Sequence, residues 1–269
     1  MNQNIIIIAG MHRSGTSLSG NLLEQSGLFI GEQLLSNGFD NKKGHFEDEE
    51  MLKIHENDLK LKHLDTRGLI GNIKGSLNFE QETKGLVDAF LLKRKHQTLW
   101  GWKEPRTTLY LQAWKHRLPN AKCIAIYRHY DEVEDSLIRR YHYKLRFGVG
   151  MSFAVRFKHI VSYPINIFIK KRQAYKAWCI YNKNILEFKK QYTDAIIIVE
   201  LNHFLNNYNT IITNVNTQFK TELQHIDVDK IFEKSLLKNS EGHGLKIRVF
   251  SKKRLNSVLS TLNDNSLWI

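Results

Sequence analysis

The stretch from Ile5 to Leu23, IIIIAGMHRSGTSLSGNLL, places the strongest constraint on how this chain folds. Its four consecutive isoleucines indicate a strand that is buried on both faces. Gly10 and Gly15 follow in the spacing G-x-x-x-x-G-x-S, and an apolar helical pattern then covers Thr16–Gln25. A strand, a glycine loop and a helix in this order are typical of a phosphate-binding loop, because the free amides at the start of the helix attract an anion.

Short β-branched runs and helical patterns alternate along the rest of the chain. The strands are predicted at Asn4–Ala9, Thr98–Trp102, Lys122–Tyr127 and Ala195–Glu200, and the helices at Thr16–Gln25, Asp48–His63, Phe79–His96, Thr107–His116, Asp131–Leu145, Lys170–Gln191 and Asn207–Phe219. This alternation predicts an α/β fold, a P-loop-type parallel sheet with helices on both faces. We expect one domain over residues 1–269, with a core at about 4–205, a C-terminal extension at 206–269, and a helical cover formed by 31–78.

Charged residues follow the predicted strands, at the edge where ligands of such sheets bind. Lys103-Glu104-Pro105-Arg106 comes after the second strand and Arg128 after the third. The loop differs from that of nucleotide triphosphatases, since Thr16 stands where those proteins have lysine and Arg13 lies three residues earlier. No strand ends in the aspartate that would hold magnesium. These features predict a site for two separated anionic groups, without a metal.

Two segments resemble the nucleotide motifs of sulfotransferases that use 3′-phosphoadenosine 5′-phosphosulfate (PAPS). HRSGTS, at residues 12–17, is similar to their 5′-phosphosulfate loop. IYRHYDEVEDSLIRR, at 126–140, is similar to their 3′-phosphate motif, in which a serine follows the strand-end arginine as Ser136 follows Arg128. GHFEDEE, GWKEPRTT and WCIYNKNIL resemble the bacterial branch that acts on carbohydrates and small molecules. The resemblance covers about residues 4–205.

The resemblance implies transfer of the sulfuryl group of PAPS to an acceptor hydroxyl, expected on a carbohydrate or glycan-like molecule. Its motifs place PAPS against Arg13, Ser14, Gly15, Thr16, Ser17, Arg128 and Ser136, with Arg139 or Arg140 as a helper. Arg13 stands where many members have lysine, and a cation there lowers the barrier by stabilising charge on the leaving phosphate. Lys103 matches a lysine that steadies the transferring group. The aromatic residue that stacks on adenine in cytosolic relatives is Leu18 here, so the adenine contacts stay unassigned.

The acceptor hydroxyl needs a general base, and three residues are candidates. They are Glu47, Glu32 and His45, in that order of preference. A histidine titrates near neutral pH, whereas a glutamate needs its pKa raised by burial before it can act as an efficient base.

The chain carries a net charge of +13, and its basic residues are concentrated. Between Ser136 and Leu186 there are eleven lysines and arginines and no acidic residue. Such a block indicates an anionic partner or a solvated basic face. Two other functions stay open at this point: a small-molecule or nucleoside kinase with an atypical phosphate loop, and a non-catalytic module that binds an anionic polymer.

Other sequence features bear on the setting of the protein. No window approaches the roughly 18 apolar residues of a membrane span, and Cys123 and Cys179 lie in apolar patterns that indicate reduced core residues. We therefore expect a cytoplasmic protein with no nucleic-acid partner, for which peripheral contact with a membrane stays open. The oligomeric state is not predicted.

Overall fold

The computed structural model describes residues 3–35, 46–231 and 252–268. Its strands are β1 (Asn4–Ala9), β2 (Leu99–Lys103), β3 (Lys122–Tyr127) and β4 (Ile196–Glu200). Its α-helices are α1 (Thr16–Gln25), α2 (Glu49–Leu61), α3 (Gln81–Lys93), α4 (Leu111–Arg117), α5 (Tyr130–Phe147), α6 (Phe153–Val161), α7 (Tyr163–Gln191), α8 (Leu201–Asn206), α9 (Tyr208–Phe219), α10 (Val228–Ile231) and α11 (Lys252–Asp264). Two short 3₁₀ helices cover Pro105–Tyr110 and Thr193–Ala195.

The strands form one parallel sheet in the order β2-β1-β3-β4. The chain moves from β1 outward to β2 and then crosses back to β3 on the other side of β1. The carboxyl ends of β1 and β3 therefore flank the point where the strand order reverses, which is where ligands bind in sheets of this kind. Gly10 follows β1 and Arg128 follows β3, so both lie at this point.

Side chains of the central strands alternate between two hydrophobic cores. In β1, Ile5 and Ile7 face one core, while Ile6 and Ile8 face the other. The first core includes side chains of α2, α3, α4, α7 and α11, and the second includes those of α1, α8 and α9. Because both faces are covered, the strands are continuously apolar, as is usual for parallel sheets. The predicted α/β fold with helices on both faces is confirmed.

Several helices differ from the predicted ones. The predicted helix at Thr107–His116 begins as a 3₁₀ helix after Pro105 and becomes α-helical only at Leu111. The helix α7 begins at Tyr163, seven residues before the predicted start. The expected cover at 31–78 contains one α-helix, α2, among its described residues.

Neither α6 nor α11 was predicted. All residues of α6 are at least partly exposed, so its apolar positions have no core to face. In α11, Leu255, Val258 and Leu262 are buried in the first core, and the helix packs against α7. In the part of the chain that the structure describes, no helix is both long enough and apolar enough to cross a membrane.

Candidate active site

The glycine loop has backbone conformations that favour its glycines. Gly10 and Gly15 have φ angles of +149° and +90°, and a Cβ on Gly15 would lie 2.4 Å from a methyl carbon of Leu201. Gly10 N donates to Thr108 Oγ1 at 2.8 Å, which ties the loop to the 3₁₀ helix that follows β2. The loop therefore delivers the amides of residues 14–17 to the start of α1, where they are suited to an anion.

Lys103, at the end of β2, joins the loop to the residues that precede α2. Its side chain is fully buried, and its Nζ donates to Ser17 Oγ at 3.1 Å and to Glu47 Oε1 at 2.7 Å. Burial lowers the pKa of Lys103, while the adjacent Glu47 opposes that shift. The structure thus brings together three of the predicted site residues, one cation, one carboxylate and one hydroxyl.

A buried ion pair holds the Lys-Glu-Pro-Arg segment in place. Glu104 is fully buried, with Arg106 Nη1 2.5 Å from one carboxylate oxygen and His55 Nδ1 2.7 Å from the other. His55 Nε2 accepts from Trp114 Nε1 at 3.0 Å, so its proton is assigned to Nδ1, facing Glu104. Burial raises the pKa of Glu104, but Arg106 and His55 outweigh it and hold the pKa at about 2. Arg106 also contacts Glu56 of α2 at 3.1 Å.

The two predicted phosphate motifs contact each other. Arg13 Nε donates to Ser136 Oγ at 2.9 Å, although the two residues are 123 positions apart in sequence. Arg128 is nearly buried, with its guanidinium 3.2 Å from the Glu132 carboxylate and its carbonyl oxygen accepting from Trp178 Nε1. The loop after β1 and the start of α5 therefore form one cationic region at the reversal point of the sheet.

Residues of α11, which lie beyond the segment that resembles sulfotransferases, contact side chains close to Arg128 in sequence. Asn263 of α11 accepts from Tyr127 OH at 2.8 Å, and Asn256 accepts from Tyr130 OH at 2.6 Å. These tyrosines stand on either side of the Arg128-His129 pair. The helix α11 consequently helps to fix the position of Arg128.

A cavity of about 460 Å³ lies beside the loop. Its polar lining consists largely of cationic and nitrogen-bearing side chains: His12, Arg67, Arg106, Arg140, Lys144, Lys170 and Gln173. Its apolar lining includes Leu137, Met151 and Ala174. An anion attached to an apolar or neutral body matches this combination of charge and surface.

His12 is the residue of this site that the sequence analysis did not single out. Its Nε2 is buried and has no hydrogen-bond partner among the described residues. Burial, Arg106, Lys103 and Arg140 lower the pKa of His12 to about 3, against an opposing effect of Glu104. The imidazole is therefore neutral at physiological pH and can accept a proton or a hydrogen bond. Its place directly before Arg13 in the loop was the available sequence signal.

The other predicted site residues lie in different surroundings. Glu32 is 68% exposed at its side chain and forms an ion pair with Arg94 at 2.9 Å, so its carboxylate is engaged by an arginine that also binds Asp48. Arg140 lines the cavity together with His12. His45 lies outside the described residues. Ser14 is buried, and its Oγ has no hydrogen-bond partner in the described ranges, so it can donate to a bound anion.

This chain resembles known proteins in its three-dimensional structure. No protein-family model matches the chain, and no curated protein matches its sequence. Solved structures with a similar fold include the sulfotransferase domain from the curacin biosynthetic pathway (16% identity, TM-score 0.54, 98% of each chain covered). Also similar is a sulfotransferase from Alicyclobacillus acidocaldarius, with 12% identity, a TM-score of 0.52, and coverage of 98% of this chain and 95% of that chain. A third is the sulfotransferase domain of the Synechococcus PCC 7002 olefin synthase, with 14% identity, a TM-score of 0.53, and coverage of 97% of this chain and 95% of that chain. The chain thus has the sulfotransferase fold that its motifs indicated.

Proposed function

We propose that this protein is a sulfotransferase that uses PAPS and transfers its sulfuryl group to an acceptor hydroxyl. The observation that carries the proposal is the contact between Arg13 and Ser136, which joins the loop for one anionic group to the motif for a second. A ligand with phosphate-type groups at two separated positions fits this arrangement better than a nucleoside diphosphate, whose phosphates are contiguous. The sulfotransferase fold of the chain is consistent with it.

The residues present fit the two ends of PAPS. The amides of residues 14–17, the unpartnered Ser14 hydroxyl and Arg13 would hold its 5′-phosphosulfate. Arg128 and Ser136 would hold its 3′-phosphate, the group that AMP and ATP lack. When bound, PAPS supplies an activated sulfuryl group, and Arg13 would stabilise the charge that develops on the departing phosphate.

Lys103 is proposed to position the transferring group. It reaches Ser17 in the loop and Glu47 outside it, so its ammonium lies between the nucleotide motif and the residues that precede α2. Because Lys103 is buried, its charge acts in a region with little competing water, where electrostatic stabilisation is strong.

His12 and Glu47 are the two proposed candidates for the base that accepts the proton of the acceptor hydroxyl. Glu47 already accepts a hydrogen bond from Lys103, so one of its carboxylate oxygens is engaged. His12 is neutral and lines the cavity with its Nε2 unpartnered. The anionic co-substrate would raise the pKa of His12 from its low value, because it offsets the surrounding cations. These contacts favour His12.

The base assignment is tested with His12→Gln and Glu47→Gln in an assay of adenosine 3′,5′-bisphosphate release from PAPS over a panel of hydroxyl acceptors. If His12 is the base, His12→Gln lowers turnover by about 10²- to 10⁴-fold with little change in nucleotide affinity. A His12→Gln variant with full turnover, beside an inactive Glu47→Gln, would assign the base to Glu47.

The cavity is the proposed acceptor site. Its cations, Arg67, Lys144 and Lys170 among them, support an acceptor that carries negative charge. A carbohydrate or glycan-like molecule with a carboxylate, phosphate or sulfate group combines such charge with the required hydroxyl. We propose this class of acceptor.

The experiment that tests the function is calorimetric titration with adenosine 3′,5′-bisphosphate, in parallel with AMP and with ADP, each with and without magnesium. We expect the bisphosphate to bind without magnesium and AMP to bind far more weakly. The Arg128→Ala variant should bind both nucleotides with similar, weak affinity. Arg146→Ala is the matched control, because it removes the same charge from an exposed position near the end of α5. Magnesium-dependent binding of ADP, or binding of the bisphosphate that Arg128→Ala leaves unchanged, would refute the proposal.

A further inference from the structure

Exposed hydrophobic side chains are concentrated in one segment of the molecule. Among the described residues, fifteen large hydrophobic side chains are exposed, and eleven of them lie between Tyr143 and Ile169. This segment, residues 143–169, comprises the end of α5, all of α6 and the start of α7, and we call it the apolar tip. Large contiguous apolar surface of this kind indicates an interaction site and not an ordinary solvated face.

The apolar tip presents a helical stripe. Phe153, Phe157 and Ile160 follow one another at intervals of four and three residues along α6, and they are 84%, 60% and 52% exposed. This spacing places them on one side of the helix. Ile165 and Ile169, four residues apart in α7, are 65% and 53% exposed. The helix α6 and the start of α7 therefore each expose a row of apolar side chains.

Cations and no anions accompany these rows. No aspartate or glutamate occurs between Ser136 and Leu186. Arg146, Lys158 and Arg172 are exposed in or next to the tip, and the Arg146 guanidinium lies 5.4 Å from the ring centre of Phe147. Apolar side chains beside lysine and arginine are the combination by which amphipathic helices bind bilayers that contain anionic lipids.

We propose that the apolar tip is a docking surface for an anionic lipid bilayer. Its apolar rows would enter the region between headgroups and acyl chains, while its cations would contact the lipid phosphates. A second copy of the same face would bring together two surfaces whose charged groups are all cations, which charge repulsion opposes. Single-stranded nucleic acid is bound by stacking on aromatic rings, and six of the eleven exposed side chains of the tip are aromatic. The other five are valines and isoleucines, which cannot stack on bases but can enter a bilayer, so the whole apolar surface is used only by a lipid partner.

Docking would also determine which acceptors reach the cavity, and this part of the inference rests on the proposed function. Met151 and Val155 belong to the apolar tip and also line the cavity beside the loop. A docked molecule would therefore take its acceptor from the bilayer interface, as an anionic, hydroxyl-bearing amphiphile.

The test is sedimentation of the full chain with lipid vesicles in the absence of nucleotide. One set of vesicles is phosphatidylcholine alone and the other contains about one-third phosphatidylglycerol. We expect binding to the anionic vesicles that weakens with added salt, and a loss of at least about tenfold in Phe153→Ser/Phe157→Ser. The control is Leu86→Ser/Leu92→Ser, which alters two exposed leucines of α3 and is expected to bind like the wild type.

Several results would overturn the proposal. They are absence of binding to both sets of vesicles, binding that the two phenylalanine substitutions leave unchanged, and a change of oligomeric state in that variant without any vesicle binding by the wild type. Urea unfolding is measured on the same variant, and an unchanged midpoint shows that its fold is intact. Because vesicle binding is measured without nucleotide, its failure is separate from a failure of the proposed sulfotransferase function.

Discussion

Glu104 is predicted to make the stability of the protein depend on pH. Its carboxylate is fully buried between Arg106 and His55, and the charge of Arg106 together with the hydrogen bond from His55 holds its pKa at about 2, below the ordinary value of 4.5. A carboxyl whose pKa is lower in the folded than in the unfolded state stabilises the fold when it is ionised. That stabilisation is complete above the unfolded pKa and disappears as the pH falls from 4.5 towards 2.

The size of the effect follows from the difference between the two pKa values. At about 1.4 kcal/mol for each pKa unit, the ionised carboxylate contributes about 3 kcal/mol to the free energy of unfolding at neutral pH. The same relation gives a loss of about 1 kcal/mol by pH 4 and about 2 kcal/mol by pH 3. Glu104→Gln keeps the shape of the side chain and removes its ionisation, so the cost of this substitution should shrink over that range.

Urea unfolding of the wild type and of Glu104→Gln, measured between pH 7 and pH 3, tests this expectation. The matched control is Glu56→Gln, because Glu56 pairs with the same arginine but its side chain is 42% exposed. The cost of Glu56→Gln should be within about 1 kcal/mol, because an exposed ion pair contributes little to stability. A cost for Glu104→Gln that is the same at pH 7 and pH 3.5, or no larger than that of Glu56→Gln, would refute the reasoning.

Three further outcomes are expected. Gly15→Ala places a methyl group against Leu201 in a left-handed conformation, and should weaken binding of adenosine 3′,5′-bisphosphate in calorimetry by at least about tenfold; unchanged affinity would contradict the assigned loop geometry. Lys103→Met leaves the Glu47 carboxylate without its cation and should lower the free energy of urea unfolding by about 3–5 kcal/mol. The double variant Lys103→Met/Glu47→Leu should regain most of that stability, and a double variant as unstable as the single one would argue against the pair. Leu262→Ala opens a cavity where α11 meets the first core and should cost about 2–5 kcal/mol in the same measurement; a cost below about 1 kcal/mol would show that α11 is not packed as described.

The elements nearest the loop could be predicted closely because their signals are local. The isoleucine run and the two glycines determine β1 and the start of α1, and both were predicted with the bounds that the structure shows. The helix α6 escaped prediction although Phe153, Phe157 and Ile160 have helical spacing, because it is only 9 residues long and lies between the turn-forming residues Gly150 and Pro164. The helix α11 was missed although Leu255, Val258 and Leu262 have helical spacing, because its remaining residues are polar and the family resemblance does not extend to it.

The contacts of the candidate site were less accessible to sequence. Lys103 meets Ser17 across 86 residues and Arg13 meets Ser136 across 123, so both contacts depend on the order of the strands. The motifs indicated which residue types bind phosphate, but not that Lys103 would engage Glu47 or that Arg94 would engage Glu32. His12 acquires its low pKa from burial and from Arg106, Lys103 and Arg140, which lie far from it in sequence. Its environment therefore follows from the three-dimensional structure alone.

The position of α11 has a consequence for how the chain folds. Asn263 and Tyr127 are 136 residues apart, and Leu267 donates a backbone hydrogen bond to Ile198 of β4. Closing loops of this length is slow, and proteins rich in such distant contacts fold slowly. During synthesis the part of the first core that packs against α11 would stay uncovered until the segment beyond residue 252 has left the ribosome. A nascent chain stalled before that segment should accordingly expose this part of the core to chaperones and proteases, whereas a chain that includes α11 should keep it covered.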